Sequence, residues 1–176
     1  DRGDVQPVLE LALTMKAHGH TIRFATHKSF KKDVEEWVGC GGDGKLEFFE
    51  IAGDPHKLSE YMVKNGGSIL PLSPEMVKET PKMHKMLVEI LNTCWDACIA
   101  PWKTPTVDGA NVPFSPDVII SNPVTNAHIH CAEALGIPLV LMFPQPWVPT
   151  KAFPHPLACM SYETGWNMEN YLSFQV

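Results

Sequence analysis

Short runs of apolar residues, some alternating with polar ones and some unbroken, predict four β-strands along the chain. The predicted strands are Thr21–Thr26, Leu46–Ile51, Asp117–Ser121 and Leu139–Phe143. The first alternates and is rich in β-branched residues, whereas the last two are almost continuously apolar. Strands of that second kind are typical of a parallel sheet that helices cover on both faces.

Apolar residues at helical spacing predict helices between these strands. The helices are predicted at Pro7–His18, Ser29–Val38, Asp54–Lys64, Ser73–Ala100 and Asn126–Leu135. Gly19 ends the first helix, Pro81 breaks or kinks the fourth, and Gly136 ends the fifth. Strands that alternate with helices predict an α/β fold with an open, doubly wound parallel sheet.

In such sheets the loops at the carboxyl ends of the strands carry the chemistry. Three segments qualify, namely Asp1–Gln6, the turn at Gly53-Asp54 and the stretch after Phe143. A parallel α/β domain normally opens with a strand, so we expect a short apolar strand ahead of Asp1 in the intact protein. We also expect Asp1–Val176 to be a piece of a longer protein, because it stops inside an amphipathic segment.

The composition excludes several classes of protein. Of the 176 residues 44% are apolar, and the formal net charge is −6. This apolar content excludes wholesale disorder, and the acidic balance argues against binding to nucleic acid. The longest apolar run, Ile137–Phe143, is far shorter than the roughly 18–20 residues of a membrane span. No secretory signal is visible either.

The cysteines predict a reducing environment. They are Cys40, Cys94, Cys98, Cys131 and Cys159. An odd number in a chain of this size argues against a disulfide framework and favours a cytoplasmic location. Cys94 and Cys98 share a helix face without a third and fourth ligand nearby, which predicts packing in the core rather than a zinc site.

Other known site patterns are missing from the sequence. His128 and His130 are two residues apart, which on a helix places their side chains about 200° apart and prevents them from ligating one metal. We expect one of them to face the cleft and the other the core or solvent. No HExxH, Walker A, GxGxxG or GxSxG pattern occurs, which disfavours zinc proteases, P-loop NTPases, dinucleotide-binding sites and serine hydrolases.

The hexapeptide Arg2–Pro7 (RGDVQP) is a candidate ligand loop. Gly3 allows a tight turn or the close approach of a ligand. Asp4 would lie at or just before a helix N-terminus, where backbone N–H groups favour its anionic form. A plain helix cap explains the same residues equally well, and the integrin-type Arg-Gly-Asp interpretation is weak.

The segment from Phe143 to Pro156 contains five prolines and three aromatic residues in 14 positions. Proline removes backbone donors and fixes φ, so such a loop can line a pocket without leaving many polar groups unpaired. Its aromatic residues suit a large, flat, apolar ligand. The alternative is a rigid connector that packs against the sheet.

Several segments agree in order and spacing with one known family. Arg2–Pro7, followed by a helix and Thr21–His27, resembles the start of the UDP-sugar-dependent glycosyltransferases, which include the sterol 3-beta-glucosyltransferases. Further similar segments are Phe48–Pro55, Tyr61–Asn65, Asn122-Pro123 and Ala127–Pro138. The segment Pro146-Trp147 together with Thr150–Pro156 is similar to the sterol branch in particular.

The resemblance implies the GT-B architecture of two Rossmann-like domains that face each other across a cleft. Residues 1–176 are then the N-terminal, acceptor-binding domain, and the C-terminal nucleotide-sugar domain is absent. The implied reaction is inverting transfer of glucose from UDP-glucose to the 3β-hydroxyl of a sterol, with no metal or other cofactor. We expect the fragment alone to be inactive.

The same resemblance suggests roles for individual residues. Asp4 is the expected general base, and Arg2 and Gly3 are expected near the donor. For the sterol acceptor we nominate Trp147, Phe153 and His155 as pocket residues, with Asn122 and His128 at the polar end.

Other functions stay open at this point. A related enzyme could glycosylate another lipid or a polyketide, and a fragment could be a non-catalytic lipid-binding module. A sterol substrate implies peripheral contact with a membrane, although no basic amphipathic helix predicts it.

Overall fold

The computed structural model describes residues 2–38, 44–64, 74–102, 113–145, 147–155, 158 and 167–175. The chain divides into two compact units, Asp1–Met142 and Phe143–Val176, and each is described by itself. The first unit contains, in order, α1 (Arg2–Ala17), β1 (Thr21–His27), α2 (Lys31–Val38), β2 (Lys45–Ile51), α3 (Pro55–Lys64), α4 (Pro74–Ile99), β3 (Ile119–Ser121), α5 (Ala127–Leu135) and β4 (Leu139–Leu141). The second contains α6 (Asn167–Leu172).

The strands pair in parallel, as predicted. β1 lies beside β2 in a register that runs from Thr21 opposite Lys45 to His27 opposite Ile51. β3 lies beside β4, with Ile119 opposite Leu139. A helix joins the two strands of each pair, α2 in the first and α5 in the second, so the α/β prediction is confirmed. The described strands form two separate pairs rather than one continuous sheet.

The core of the first unit lies between α1 and the β1–β2 pair. Its buried members are Leu9 and Ala12 of α1, Phe24 of β1, Val34 of α2, and Leu46 and Phe48 of β2. Val34 is completely inaccessible to solvent. Burial of a large apolar side chain stabilises the fold by about 1.5–3 kcal/mol, so these few residues explain why α1 packs on this face.

The structure corrects the predicted start of α1. Residues 2–6 were expected to form a loop, but α1 begins at Arg2 and Pro7 lies inside it. Asp4 in the first turn favours this early start, because its negative charge interacts well with the positive end of the helix dipole. Pro7 has no N–H to donate to the preceding turn, so one backbone hydrogen bond of α1 cannot form. The helix nevertheless continues past it.

The other predictions agree with the structure only in part. The predicted break at Pro81 is wrong, because helix α4 is continuous from Pro74 to Ile99. Gly136 ends α5 in the left-handed conformation, at φ 66°, as expected for a helix stop. The prediction that β4 is buried on both faces is wrong for this chain, because Val140 and Leu141 are 48% and 56% exposed.

Arg23 joins β1, β2 and the end of α4. Its side chain is 2% exposed and forms an ion pair with Glu47 of β2 at 3.0 Å. The guanidinium also donates to backbone carbonyls at the C-terminal end of α4, those of Ala97, Ala100 and Pro101, at 2.7–3.0 Å. It lies over the rings of Phe49, Trp102 and Phe114, with the last centroid only 3.9 Å away.

Within the described part of the chain, no helix combines the length and the apolar content that crossing a bilayer requires.

We predict that Arg23→Ala lowers the free energy of unfolding by about 3–5 kcal/mol, because it removes the buried ion pair with Glu47 and the hydrogen bonds to the carbonyls at the end of α4. Chemical denaturation of the purified chain measures this difference. Lys31→Ala is the matched control, since Lys31 pairs with Glu35 at 3.7 Å on the exposed face of α2. Its loss should stay below about 1 kcal/mol. Equal losses in the two variants would contradict the role of Arg23.

Candidate active site

The carboxyl end of β3 meets the start of α1 in the first unit. Asn122 follows β3 directly, and its Nδ2 donates to Oδ1 of Asp4 at 3.3 Å. Oδ1 of Asn122 accepts from the backbone N–H of Val124 at 3.1 Å, which fixes the end of the amide that faces Asp4. Two residues 118 positions apart in the sequence therefore form one polar pair beside the sheet.

His128 lies next to this pair, in the first turn of α5. It is 9% exposed, and its Nδ1 is 3.3 Å from Oγ of Ser121. When the hydroxyl of Ser121 donates to the carbonyl of Asn122, at 3.2 Å, its Oγ can accept from Nδ1–H of His128. This tautomer leaves Nε2 of His128 as an acceptor. Burial also lowers the pKa of His128, which favours the neutral ring.

His130 has the opposite environment from His128. Its side chain is exposed, whereas that of His128 is buried, as the two-residue spacing predicted.

His27 is a candidate site residue that the sequence analysis did not single out. It is the last residue of β1, and its Nδ1 is buried without a hydrogen-bond partner among the described residues. Its position at the carboxyl end of a parallel strand was the signal that could have identified it. A buried polar atom of this kind calls for a partner, and a bound ligand could supply one.

A cavity of about 2010 Å³ opens between the β1–β2 pair and the β3–β4 pair, and we refer to it as the inter-sheet cavity. Asp4, His27, Asn122 and His128 all line it. About half of its remaining wall consists of residues from α1, β1, α4 and β3. The predicted polar residues Asp4, Asn122 and His128 therefore line one cavity.

Arg2 and Gly3 lie in the first turn of α1 and do not form the loop that was expected there. Arg2 is mostly exposed and lies 3.6 Å from Asp33 of α2. Gly3 is helical, and a Cβ added to it would meet no atom within 4 Å. Its backbone therefore does not require glycine, but the open space beside it leaves room for a ligand to approach.

The nominated aromatic residues belong to the second unit, Phe143–Val176. Trp147 packs edge-on against Phe143, with ring centroids 4.4 Å apart, and lies 5.1 Å from His155. His155 in turn contacts Phe174 at 5.1 Å. Nε1 of Trp147 is buried without a hydrogen-bond partner in the described part of the chain. Pro146 and Pro156 lie outside the described residues.

Two further contacts hold this ring cluster in place. The backbone N–H of His155 donates to Oγ of Ser173 at 2.7 Å, and Nδ2 of Asn170 donates to the carbonyl of Lys151 at 3.0 Å. Phe153, the third nominated residue, is half-buried. The loop is thus tied to the residues around α6 by hydrogen bonds as well as by rings.

A family model, the glycosyltransferase family 28 N-terminal domain, matches residues 2–154. The chain belongs to this family. The matched range includes every nominated site residue except His155.

Curated relatives of this family 28 domain agree with the match. A sterol 3-beta-glucosyltransferase of Arabidopsis thaliana is 40% identical over 175 residues, covering 99% of the chain and 24% of the relative. A second one from the same plant is 40% identical over 158 residues, covering 89% of the chain and 23% of the relative. A sterol 3-beta-glucosyltransferase of Sclerotinia sclerotiorum is 33% identical over 175 residues, covering 98% of the chain and 10% of the relative. The chain thus spans about a quarter or less of the length of these relatives.

The three described cysteines of the family 28 domain are buried or partly buried. Cys94 and Cys131 are buried, Cys98 is partly buried, and all three are free thiols. Desolvation raises the pKa of Cys94 to about 11 and that of Cys98 to about 12. The predicted packing of Cys94 in the core is confirmed, whereas Cys98 is only partly buried, and Cys40 and Cys159 lie outside the described residues.

We predict that His128 makes the family 28 domain less stable in mild acid. Its pKa in the folded state lies below the ordinary value of 6.5, so the unfolded chain binds the proton more tightly. The stability is fully present well above pH 6.5 and is lost as the pH falls through the folded pKa. His128→Gln should therefore flatten the fall of the unfolding free energy below that pH.

Denaturation at a series of pH values measures this slope. His130→Gln is the matched control, because His130 is exposed on the same helix and its loss should leave the slope unchanged. A His128→Gln slope identical to that of the parent chain would contradict the prediction.

Proposed function

We propose that this chain is the acceptor-binding domain of an inverting glycosyltransferase that moves glucose from UDP-glucose to the 3β-hydroxyl of a sterol. The observation that carries the proposal is the Asp4–Asn122 pair, a half-buried carboxylate held at the opening of the inter-sheet cavity. The names of these relatives support a sterol as the acceptor and glucose as the transferred sugar.

An alcohol is a poor nucleophile until its proton is removed. In the proposed reaction the sterol oxygen forms a bond to the anomeric carbon while the bond from that carbon to the UDP oxygen breaks. The hydroxyl proton passes to the carboxylate of Asp4, and the electron pair of the broken bond leaves with UDP. A single displacement of this kind inverts the anomeric carbon. General-base catalysis contributes about 10²–10⁴-fold to the rate.

Asn122 and His128 support the carboxylate in this scheme. The Asn122 amide is held by Val124 and donates to Asp4, so it restricts the rotation of the base. His128 stays neutral because burial lowers its pKa, and its Nε2 can accept a hydrogen bond at the polar end of the acceptor site. A neutral ring there also avoids a positive charge that would make the carboxylate a weaker base.

Aromatic residues of the second unit are proposed to bind the sterol rings. Trp147 and His155 form a preassembled cluster, and Phe153 is half-buried close by in sequence. Sterol rings present mostly apolar area, and burial of such area stabilises a complex by about 25 cal/mol per Å². Contact with the sterol is proposed to bring the protein to the membrane surface peripherally, from the cytoplasm.

The donor is proposed to bind mainly to a second, C-terminal domain of the same polypeptide, with Arg2 and Gly3 at the near side. The negative charge on the leaving UDP can be stabilised by a helix N-terminus and backbone donors, which need no metal ion.

We predict that Asp4→Asn in the intact parent enzyme lowers kcat by about 10²–10⁴-fold and changes KM for the sterol little, since the amide keeps the shape but cannot accept the proton. Steady-state assays with radiolabelled UDP-glucose measure both constants. Asp96→Asn is the control, because Asp96 is an exposed carboxylate on α4 and its loss should leave both constants unchanged. Activity of Asp4→Asn within a few-fold of the parent would remove Asp4 from this role.

We predict that Trp147→Ala raises KM for the sterol about tenfold or more while leaving KM for UDP-glucose nearly unchanged, because it removes apolar contact area from the acceptor site alone. Trp95→Ala provides a control of the same size change on the exposed face of α4. Equal losses for both substrates would indicate damaged folding instead.

One assay separates the proposed function from its alternatives. The intact parent protein is incubated with labelled UDP-glucose and a panel of sterols, other lipids and polyketides. Label on a sterol supports the proposal, and label on another acceptor assigns a related transferase. Absence of any donor use, with lipid still bound, would favour a non-catalytic lipid-binding protein.

A further inference from the structure

Helix α4 packs against the first unit with one side only. On that side Cys94 and Ala97 are buried, and Oγ1 of Thr93 accepts from the backbone N–H of Ala52 at 3.0 Å. The helix nevertheless exposes large apolar residues elsewhere on its surface. Those with more than a third of their surface open to solvent are Val77, Leu87, Val88, Leu91, Trp95 and Ile99.

Three of these residues form an apolar stripe along the N-terminal part of α4. At about 100° of rotation per residue, Val77, Val88 and Leu91 fall within a sector of about 60° on the helix surface. Pro81 and His84 occupy positions between them and are exposed as well. At a rise of about 1.5 Å per residue, the stripe is about 21 Å long. Single exposed apolar residues are ordinary on a protein surface, whereas an extended apolar patch calls for a partner.

A row of lysines runs along one flank of the stripe. Lys78, Lys82 and Lys85 fall within a second sector of about 60°, beside the first. All three are exposed, and none forms an ion pair with a carboxylate in the described part of the chain. We refer to the stripe and the row together as the α4 face, which comprises Val77, Lys78, Lys82, Lys85, Val88 and Leu91.

Nearby carboxylates do not cancel the charge of the α4 face. The pKa of Lys64 on α3 is raised by its hydrogen bond to Glu60 and, to a smaller extent, by the charge of Glu79. Glu79 therefore lies toward α3 and away from the lysine row. Glu89 is exposed on the lysine flank, and three lysines against this one carboxylate leave an excess of positive charge among the described residues.

We propose that the α4 face lies on the surface of a membrane that contains anionic lipid, with the apolar stripe among the upper acyl chains and the three lysines at the headgroups. Helices with an apolar side and a lysine-rich side bind in the plane of such an interface and bury the apolar side about 5–10 Å deep. The inference rests on the proposed function, which places the acceptor in a membrane, and it names the surface that makes the contact.

The lysines favour a lipid surface over a protein partner. Lysine is depleted in protein–protein interfaces, and fixing its long side chain costs conformational entropy. At a membrane the side chain instead covers apolar surface with its methylene groups while its ammonium reaches the headgroups. Anionic headgroups supply negative charge opposite a lysine row that has no carboxylate partner of its own.

The contact is placed at the N-terminal part of α4. The stripe continues beyond Leu91 in Trp95 and Ile99, but the last turn of the helix contains no basic residue. Trp95 is also the least exposed of the apolar residues named above, at 36%. Apolar and basic residues therefore coincide only between Val77 and Leu91.

The amino-acid pattern did not indicate a basic amphipathic helix at this place. The reason is that α4 has apolar residues on two sides, those of the stripe and those that pack in the core, such as Cys94 and Ala97. Only the tertiary structure shows which of the two sides is covered.

Flotation of the intact parent protein with vesicles tests the proposal. The vesicles contain phosphatidylcholine and cholesterol, with or without phosphatidylserine. We expect tighter binding to the vesicles with phosphatidylserine and weaker binding at high salt, which screens the lysines. Replacing Lys78, Lys82 and Lys85 together by Gln should weaken that binding about tenfold or more, because each lysine near an anionic surface contributes about fivefold.

A variant with the same change of charge is the matched control. Replacing Lys28, Lys31 and Lys32 by Gln removes three exposed lysines at the start of α2 and should leave vesicle binding within about twofold of the parent.

A second pair of variants tests the apolar stripe. The double variant Val77→Ser and Val88→Ser should weaken binding to both kinds of vesicle about fivefold or more, because it removes apolar area from the contact. Val140→Ser on β4 changes a valine of similar exposure and is its control, and Trp95→Ala should also bind as the parent does. Flotation requires no glucosyl transfer, so its outcome is separate from that of the activity assay.

Four results would overturn the proposal. The first is parental binding to phosphatidylserine vesicles by the variant of Lys78, Lys82 and Lys85. The second is an equal loss in the α2 control variant, which would make the effect one of total charge. The third is a loss of the same size in Trp95→Ala, which would move the contact to the other end of α4. The fourth is a dimer of the parent that the double valine variant dissociates, without any binding to vesicles, which would make a second copy the occupant.

Discussion

The buried Arg23 guanidinium is the interaction on which the packing of the first unit depends. Removing a guanidinium and a carboxylate from water costs several kcal/mol per ion, and the ion pair with Glu47 returns this only if the remaining donors are satisfied. The carbonyls at the end of α4 satisfy them, and three aromatic rings exclude water around the charge. The last turn of α4 is thereby held against the sheet, together with Trp102 and Phe114.

The parallel direction of the strands explains how a polar site can form at the edge of an apolar sheet. The strands run parallel, so their carboxyl ends lie at one edge, and helices begin there with unpaired N–H groups. Asp4, Asn122 and His128 come from three separate elements, and each is placed by its position at that edge rather than by a local motif. Their hydrogen bonds then favour particular side-chain rotamers of Asp4 and Asn122 and one tautomer of His128.

The sequence predicted the features that depend on local chemistry. Alternation in Thr21–Thr26, the helix stop at Gly136 and the long helix that ends near Ala100 are confirmed, because each rests on a few neighbouring residues. The start of α1 was predicted wrongly, since Pro at the first helical position is common and the pattern could not show the helix extending back to Arg2. The roles of Arg23 and His27 were missed for a different reason: each depends on partners or on a void that only the tertiary structure creates. The exposure of Val140 and Leu141 likewise depends on what lies beside β4, which an apolar run cannot indicate.

The reactivity of the described thiols offers a way to detect the entry of water into the first unit. Only a thiolate reacts readily with an alkylating reagent, and desolvation raises the pKa of Cys94 and Cys98 far above neutral pH. Alkylation of these two residues at neutral pH is therefore slow, and it becomes faster when α4 separates from its neighbours and admits water. Cys94 and Cys98 also line the inter-sheet cavity, so their modification rate would report changes in how far water enters that cavity.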